Sequence, residues 1–272
     1  MRELAPAKIN ISLLVGPPRA DGRHELASVM QSITLCDELT MADGVRDEVI
    51  CPGVEGPNLA QRALAGFREC SGWDGPPQRL EILKRIPVAA GLGGGSADAA
   101  AALRLLVRRS GLGGEEAWLR ELAARLGSDV PSQLRPGRCL VRGGGELVEA
   151  LPPPAAFGIL VLPSHASLSA AAVYAEADRL RSPRSATELA ALDPLALVGV
   201  NDLQAAALSL EPSIAVAIER ARFAGADHAF VSGSGPTVLG LFHDPLAADR
   251  AAAALAAENV GAISAKPIPP PD

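Results

Sequence analysis

Aromatic residues are scarce in this sequence, at 3% of 272 residues, so alanine and leucine must carry the packing. Basic residues are outnumbered by acidic ones, which leaves a formal net charge of −6. That balance excludes an extended nucleic-acid or anionic-membrane surface, and any phosphate must be held by local features. Cysteine is limited to Cys36, Cys51, Cys70 and Cys139, with no CxxC pair and no histidine at metal-ligand spacing. A disulfide framework and a structural zinc site are thereby disfavoured, and reduced thiols in a cytoplasmic protein are expected. No apolar run approaches the ~18 residues that a membrane span requires, and "MRELAPAKIN" has no signal-peptide core.

What is present reads as an ordinary globular chain, 48% hydrophobic and 21% charged, long enough for one large domain or two lobes. "ELAPAKINISLLVG" alternates like a half-buried strand, with Ile9, Ile11 and Leu13 on one side and Lys8, Asn10 and Ser12 on the other. The turn-rich "PPRADGRHE" precedes a second strand-like run, "SVMQSITLCDEL". "NLAQRALAGFREC" predicts a helix opened by Asn58, and "RLEILKRIP" a strand leading into a glycine cluster. "GGEEAWLRELAARLG" is an amphipathic helix with acids in its first turn and Gly127 as its stop. After the loop "GSDVPSQL" comes a glycine-rich strand pair, "RCLVRGGGELVEAL"; "LPPPAAFGILVLP" then links to a buried strand. Helices follow around "SAAAVYAEADRL", "DLQAAALSL" and "SIAVAIERARFAG", then strand, Gly/Ser turn and strand in "HAFVSGSGPTVLGLF". A last helix, "PLAADRAAAALAAE", precedes a Pro-rich end, "KPIPPPD", whose last few residues are expected to be disordered. The pattern is α+β without a strict βαβ repeat. It divides near residue 150 into lobes of residues 1–150 and 151–272.

The stretch "PVAAGLGGGSADAA" runs from strand through glycines into a helix start. First-turn N–H groups lack intrahelical partners and the helix dipole favours negative charge there, so the parts of an anion site are present. Gly91, Gly93, Gly94 and Gly95 permit positive φ and a close backbone approach. Ser96 either caps the helix or donates to a phosphate oxygen. No Gly-Lys-Ser/Thr follows, so this is not a Walker A loop, and a mobile turn before a buried helix is the alternative. Asp98, just inside the helix, would repel a phosphate unless it points away or acts through a cation. Asp129 in "LGSDVP" reads as a proton acceptor or as a turn and cap residue. Lys8 and Asn10 read as one face of a cleft or as a solvated strand face. His24 reads as a ligand-facing ring or as a packing residue, and Asn58 as a helix cap.

"PVAAGLGGGSADAA" resembles the phosphate-binding motif of the GHMP small-molecule kinases. "APAKIN" with "ADGRHEL" resembles the family's first motif, and "VSGSGPTV" its third. These matches span residues 5 to 242 in the family's order. The resemblance implies a two-lobed fold. Its first lobe is ribosomal protein S5 domain 2-like, its second is a ferredoxin-like α/β sandwich, and the active site lies in the cleft between them. It implies ATP as phosphoryl donor, with magnesium expected, and direct in-line transfer with Asp129 as base and Lys8 steadying developing charge. The nucleotide would be held by Pro87, Val88, Ala89, Ala90, Gly91, Leu92, Gly93, Gly94, Gly95, Ser96 and Ala97, with Asn58 near the adenine. Asn10, Arg23, His24 and Ser169 would hold the acceptor. No metal ligand is assigned; Asp98 and Ser96 are the candidates.

Within the family, "APAKIN", "DGxHEL", "GSDVP" and "NDL" most resemble the members acting on a cytidine-diphosphate derivative of methylerythritol, on the route to isoprenoid precursors. Its 2-hydroxyl would be the acceptor. By resemblance His24 reads the cytosine through a ring nitrogen. The family's aromatic before that histidine is here Arg23, whose guanidinium is also able to stack on a base. Ser132 and Gln133 replace the apolar or aromatic residues usual after "GSDVP", and Ala170 replaces a threonine. Together these changes are expected to cluster on the cytidine pocket. Other small alcohols of the mevalonate, homoserine or sugar type, and a non-catalytic nucleotide binder, are the competing readings. Neither nucleic acid nor membrane is expected as a partner, and the chain is expected to be a monomer or homodimer.

Overall fold

A computed structural model describes residues 1–54, 56, 58–112, 117–164, 166–181 and 183–269. The first lobe is built from β1 (Arg2–Pro18), β2 (His24–Asp43), β3 (Glu48–Ile50), α1 (Leu59–Ser71), β4 (Gln78–Leu83), α2 (Gly94–Ser110), α3 (Ala117–Leu126), α4 (Val130–Gln133), β5 (Arg138–Gly143) and β6 (Leu147–Ala150). The second contains β7 (Gly158–Leu162), α5 (Ala170–Arg179), α6 (Ala186–Ala191), a 3-10 turn at Pro194–Ala196, α7 (Gln204–Leu210), α8 (Ile214–Phe223), β8 (His228–Val231), β9 (Val238–Phe242), α9 (Pro245–Ala257) and β10 (Ile263–Ala265). The expected acids at Glu115 and Glu116 and the last residues of the Pro-rich end lie outside the described residues.

Sequence patterning accounts for most elements, and the surroundings decide the rest. Asn58 caps α1 by accepting from the Gln61 N–H at 2.9 Å, and Gly72 closes it in the left-handed conformation. α2 is alanine-rich because it is enclosed on nearly every side. Ala97, Ala99, Ala100, Ala101 and Ala102 are buried against α1 and the sheet, where larger side chains would hold the backbones apart. β1 departs from its expected half-buried character, because Ala5 through Gly16 are buried on both faces. One face meets the second lobe and the other lies beneath the glycine loop, so Lys8 is only 6% exposed. β3, α6 and β10 carry too few patterned residues to be anticipated. "GSDVPSQL" is not all loop, since Val130–Gln133 forms one short helix behind Asp129.

The first sheet has the order β3-β4-β2-β5-β6 with β1 paired to β2, and the second runs β10-β7-β9-β8. In chain order the second lobe is strand, helices, strand, strand, helix, strand, all antiparallel, which is the ferredoxin-like arrangement. The strands divide between Ala150 and Gly158, but the core does not. Ile9, Ile11, Val29 and Ile33 pack with Ile159, Val161, Phe230 and Leu239 in one cluster. Asp202 and Val200 also exchange backbone bonds with Leu13. This continuity brings the third glycine motif of the second lobe onto the loop of the first.

Candidate functional site

The glycine loop is held from below and from the side. Lys8 N–H donates to Leu92 O at 3.0 Å, and the Ser232 hydroxyl donates to Gly91 O at 3.3 Å. Gly91 has φ +74, and a Cβ there would lie 2.7 Å from Gly235 O and 2.8 Å from Ser232 O. Only glycine permits that approach. Gly93, with φ +68, is the N-cap of α2 and lies over Lys8, where a Cβ would be 2.8 Å from the lysine Cγ. No side chain caps α2, so its first-turn N–H groups at Gly94, Gly95 and Ser96 are left to a ligand or water. Ser96 therefore sits inside the first turn and not at the cap. Val88, Ala89 and Gly95 are exposed, whereas Ala90, Leu92 and Ala97 bury their side chains in the core. Those three offer a ligand backbone only. Asn58 spends its oxygen on α1, but the next residue, Leu59, comes within 3.8 Å of the position a Gly95 Cβ would take.

Asp98 is buried and engaged by the Lys84 ammonium, so it is not free to hold a metal ion. Its Oδ2 is 2.7 Å from Lys84 Nζ, and Lys84 also binds buried Asp37. Two carboxylates thus share one ammonium. Asp37 additionally accepts N–H bonds from Arg85 and Ile86, while Asp98 Oδ1 has no partner. Burial pushes the Asp98 carboxyl up to about 7, against the pull of Lys84. Burial draws Lys84 down, but the two carboxylates outweigh it and leave its ammonium above the ordinary value.

The structure brings Lys8 and Asp129 together, with Nζ 3.3 Å from Oδ2. Asp129 occupies the N-cap position of α4 without making a side-chain cap bond, so its carboxylate is free to face the cleft. Lys8 Nζ donates to Asn10 Oδ1 at 2.9 Å, and Asn10 Nδ2 donates to Ser28 Oγ at 2.7 Å. Ser28 in turn donates to Ser12 O at 2.6 Å. Both ends of the Asn10 amide are engaged, so Asn10 positions Lys8. Gly233 closes the cleft from the second lobe, where a Cβ would stand 3.5 Å from Lys8 Nζ. Asn201 Nδ2 anchors that turn through Val231 O and Gly233 O at 2.8 and 2.7 Å.

A cavity of about 410 Å³ opens beside Asp129, lined among others by Arg23, His24, Ser128, Gly144, Tyr174 and Asp178. His24 stacks on Tyr174 with ring centroids 5.0 Å apart and 26° between planes. Arg23 reaches only loosely to Ala124 O and Gly144 O, at 3.3 and 3.5 Å. The expected clustering of sequence departures here is not found, apart from Arg23. Ser132 donates to Asp129 O, and Gln133 bonds to Pro6 O and Ser32, so both are buried supports of α4. Ser169 caps α5 by accepting from the Ala172 N–H at 3.1 Å, and Ala170 begins that helix at the surface. Sequence reasoning missed Tyr174 and Asp178. Tyr174 had a signal, being the chain's one tyrosine, while Asp178 looked like any exposed helix acid.

Among the described residues, no group of three or more His, Cys, Asp or Glu stands ready to hold a metal ion, and no helix is long and apolar enough to cross a membrane. With Asp98 locked to Lys84, the residues present do not form a magnesium cage.

Residues 58–137 match the GHMP kinases N terminal domain, and residues 171–261 the GHMP kinases C terminal domain. A 4-diphosphocytidyl-2-C-methyl-D-erythritol kinase of Streptomyces avermitilis is 40% identical over 93% of this chain and 92% of its own length. A crystal structure of 4-(cytidine 5'-diphospho)-2C-methyl-D-erythritol kinase superimposes with a TM-score of 0.81 at 34% identity, covering 98% of this chain and 99% of that one. Mevalonate kinase from L. major, solved in complex with R-mevalonate, shares the fold, with a TM-score of 0.73 at 15% identity over 99% of this chain and 96% of that one. With both domain matches in sequence order and this likeness along nearly the whole length, the chain belongs to the GHMP kinases, in the family of the 4-diphosphocytidyl-2-C-methyl-D-erythritol kinases.

Proposed function

We propose that this protein transfers the γ-phosphoryl group of ATP to the 2-hydroxyl of 4-diphosphocytidyl-2-C-methyl-D-erythritol, a step toward isoprenoid precursors. One observation carries the reading: Lys8, whose ammonium is 3.3 Å from the Asp129 carboxylate, lies with its side chain directly against Gly93 of the glycine loop. Phosphoryl transfer needs mostly positioning and charge stabilisation, with one group to take the acceptor's proton. The uncapped first turn of α2 would cradle the phosphates through backbone N–H groups. The substrate oxygen attacks the γ-phosphorus, its proton passes to the Asp129 carboxylate, and the bond to ADP breaks. Lys8, held by Asn10 and Ser28, stabilises charge developing on the acceptor oxygen. Magnesium would arrive with the nucleotide and neutralise its phosphates, coordinated chiefly by phosphate oxygens and water.

The cavity beside Asp129 suits the cytidine end. It offers the Arg23 guanidinium as donor, the His24 ring and the Tyr174 face, and it reaches Ser128, next to the catalytic carboxylate. The residues 1–150 serve as the lobe carrying the phosphate loop, and residues 151–272 supply the third motif and α5. Purified protein should turn over ATP with the cytidyl substrate and not with mevalonate or homoserine. Brisk turnover of either of those, with none of the cytidyl compound, would overturn the substrate assignment.

A further inference from the structure

His24 and Asp178 are bound to one another within the cavity, His24 Nε2 lying 2.9 Å from Asp178 Oδ1. Tyr174 and Asp178 are four residues apart on α5, so both extend from one face of the helix onto the same imidazole. The histidine side chain is 8% exposed and the aspartate 47%, so it is the ring that is fixed in the wall. An ionised carboxylate only accepts hydrogen bonds, so Nε2 must carry a proton. In the neutral ring Nδ1 is then left with its lone pair. Nδ1 has no partner among the described residues and is not among the side-chain atoms buried without one. It is therefore open to the cavity that His24 lines.

We propose that Asp178 is a positioning residue for base recognition. By fixing the proton on Nε2 it makes His24 Nδ1 an acceptor, matched to the exocyclic amino group of a cytosine and repelled by the carbonyl that a uracil carries there. Arg23 on the same cavity wall is donor-only and suits the acceptor atoms of the same base. The inference rests on the cavity being the cytidine end of the site, as proposed above.

The test uses the full chain with Asp178→Asn and Asp178→Glu. An asparagine amide is able to donate to Nε2, which moves the ring proton to Nδ1, as replacing the aspartate behind a catalytic histidine does elsewhere. For Asp178→Asn we expect KM for the cytidyl substrate to rise roughly 10–100-fold, with kcat and the KM for ATP within about twofold. Discrimination against the uridine analogue should narrow at the same time, and Asp178→Glu should restore most of the cytidyl affinity. With only four histidines in the chain, the His24 ring nitrogens are resolvable by ¹⁵N NMR in ligand-free protein. They should report the Nε2–H tautomer in the parent and Nδ1–H in Asp178→Asn. An unchanged KM overturns the proposal, and so does a raised KM with the tautomer unmoved, because the carboxylate then acts in another way. If the parent protein does not use the cytidyl substrate at all, the functional reading fails. The NMR comparison still decides whether Asp178 fixes the ring.

Discussion

Replacing Gly91 by alanine puts a methyl group 2.7 and 2.8 Å from two backbone carbonyl oxygens, those of Gly235 and Ser232. Neither obstacle is a flexible side-chain end, so loop and third motif must separate for the variant to fold. The φ of +74 adds a second penalty, since an L-residue in the left-handed region costs ~1–2 kcal/mol. Overpacking typically adds ~1–3 kcal/mol. The sum, ~2–5 kcal/mol, is a large share of the ~5–15 kcal/mol that holds a typical protein folded. With a urea slope near ~3 kcal/mol per M, the unfolding midpoint should fall by roughly 0.7–1.7 M. The KM for ATP should rise as well, because the loop is displaced from Lys8. Gly95 is the control. Its φ is not positive and a Cβ there meets nothing nearer than Leu59 Cδ1 at 3.8 Å. In that helical position alanine should leave folding stability neutral or improved by ~0.5–1 kcal/mol. Urea titrations of both variants decide the matter. A Gly91→Ala midpoint equal to the parent's, or an equal loss in Gly95→Ala, would refute the account of why the two lobes meet through this glycine.

Asp129→Asn should lower kcat by about a hundredfold or more while leaving ATP affinity close to the parent value, measured by steady-state kinetics and nucleotide titration; near-normal kcat would remove Asp129 from its role as base. Arg23→Tyr should keep the KM for the cytidyl substrate within about threefold, since Arg23 makes only long bonds within the protein and a ring also stacks on a base. A large rise in KM would mean that the guanidinium makes a contact no ring replaces. Asp98, raised by burial from 3.8 to about 7, retains in the folded state a proton that the unfolded chain has released. Its contribution to stability is therefore complete below about pH 4 and declines as pH rises toward 7. Asp98→Asn should flatten that decline when urea unfolding is compared at pH 5 and 8, and a steeper decline would contradict the sign.

The motifs were legible because each is local. A strand, a glycine run and a breaker-free alanine helix specify an anion-binding turn from neighbouring residues alone, and the turn and helix signals in "LGSDVP" specify where Asp129 sits. Asp98 was legible only as a problem. Its neighbours in sequence do not include Lys84 and Asp37, the groups that engage it, and Asp37 comes from the middle of β2. Ser132 and Gln133 were read as part of a pocket because they depart from what the resembling family has after "GSDVP". One short helical turn instead directs them into the interior, toward Pro6 and Ser32.

By itself, then, the sequence indicated the class of fold and an anion-binding turn, while roles for Lys8 and Asp129 came only from the resemblance of its motifs to a family. The class and the turn follow from backbone propensity and helix-terminus electrostatics, which need no distant partner. Only the tertiary structure decided that Lys8 is buried and not solvated, that Asn10 serves Lys8, and that Tyr174 and Asp178 grip His24. Lys8 and Asn10 are neighbours on β1, but the Ser28 that holds Asn10, the Gly93 that covers Lys8 and the α5 residues on His24 come from other elements, and such contacts are set by how whole elements pack.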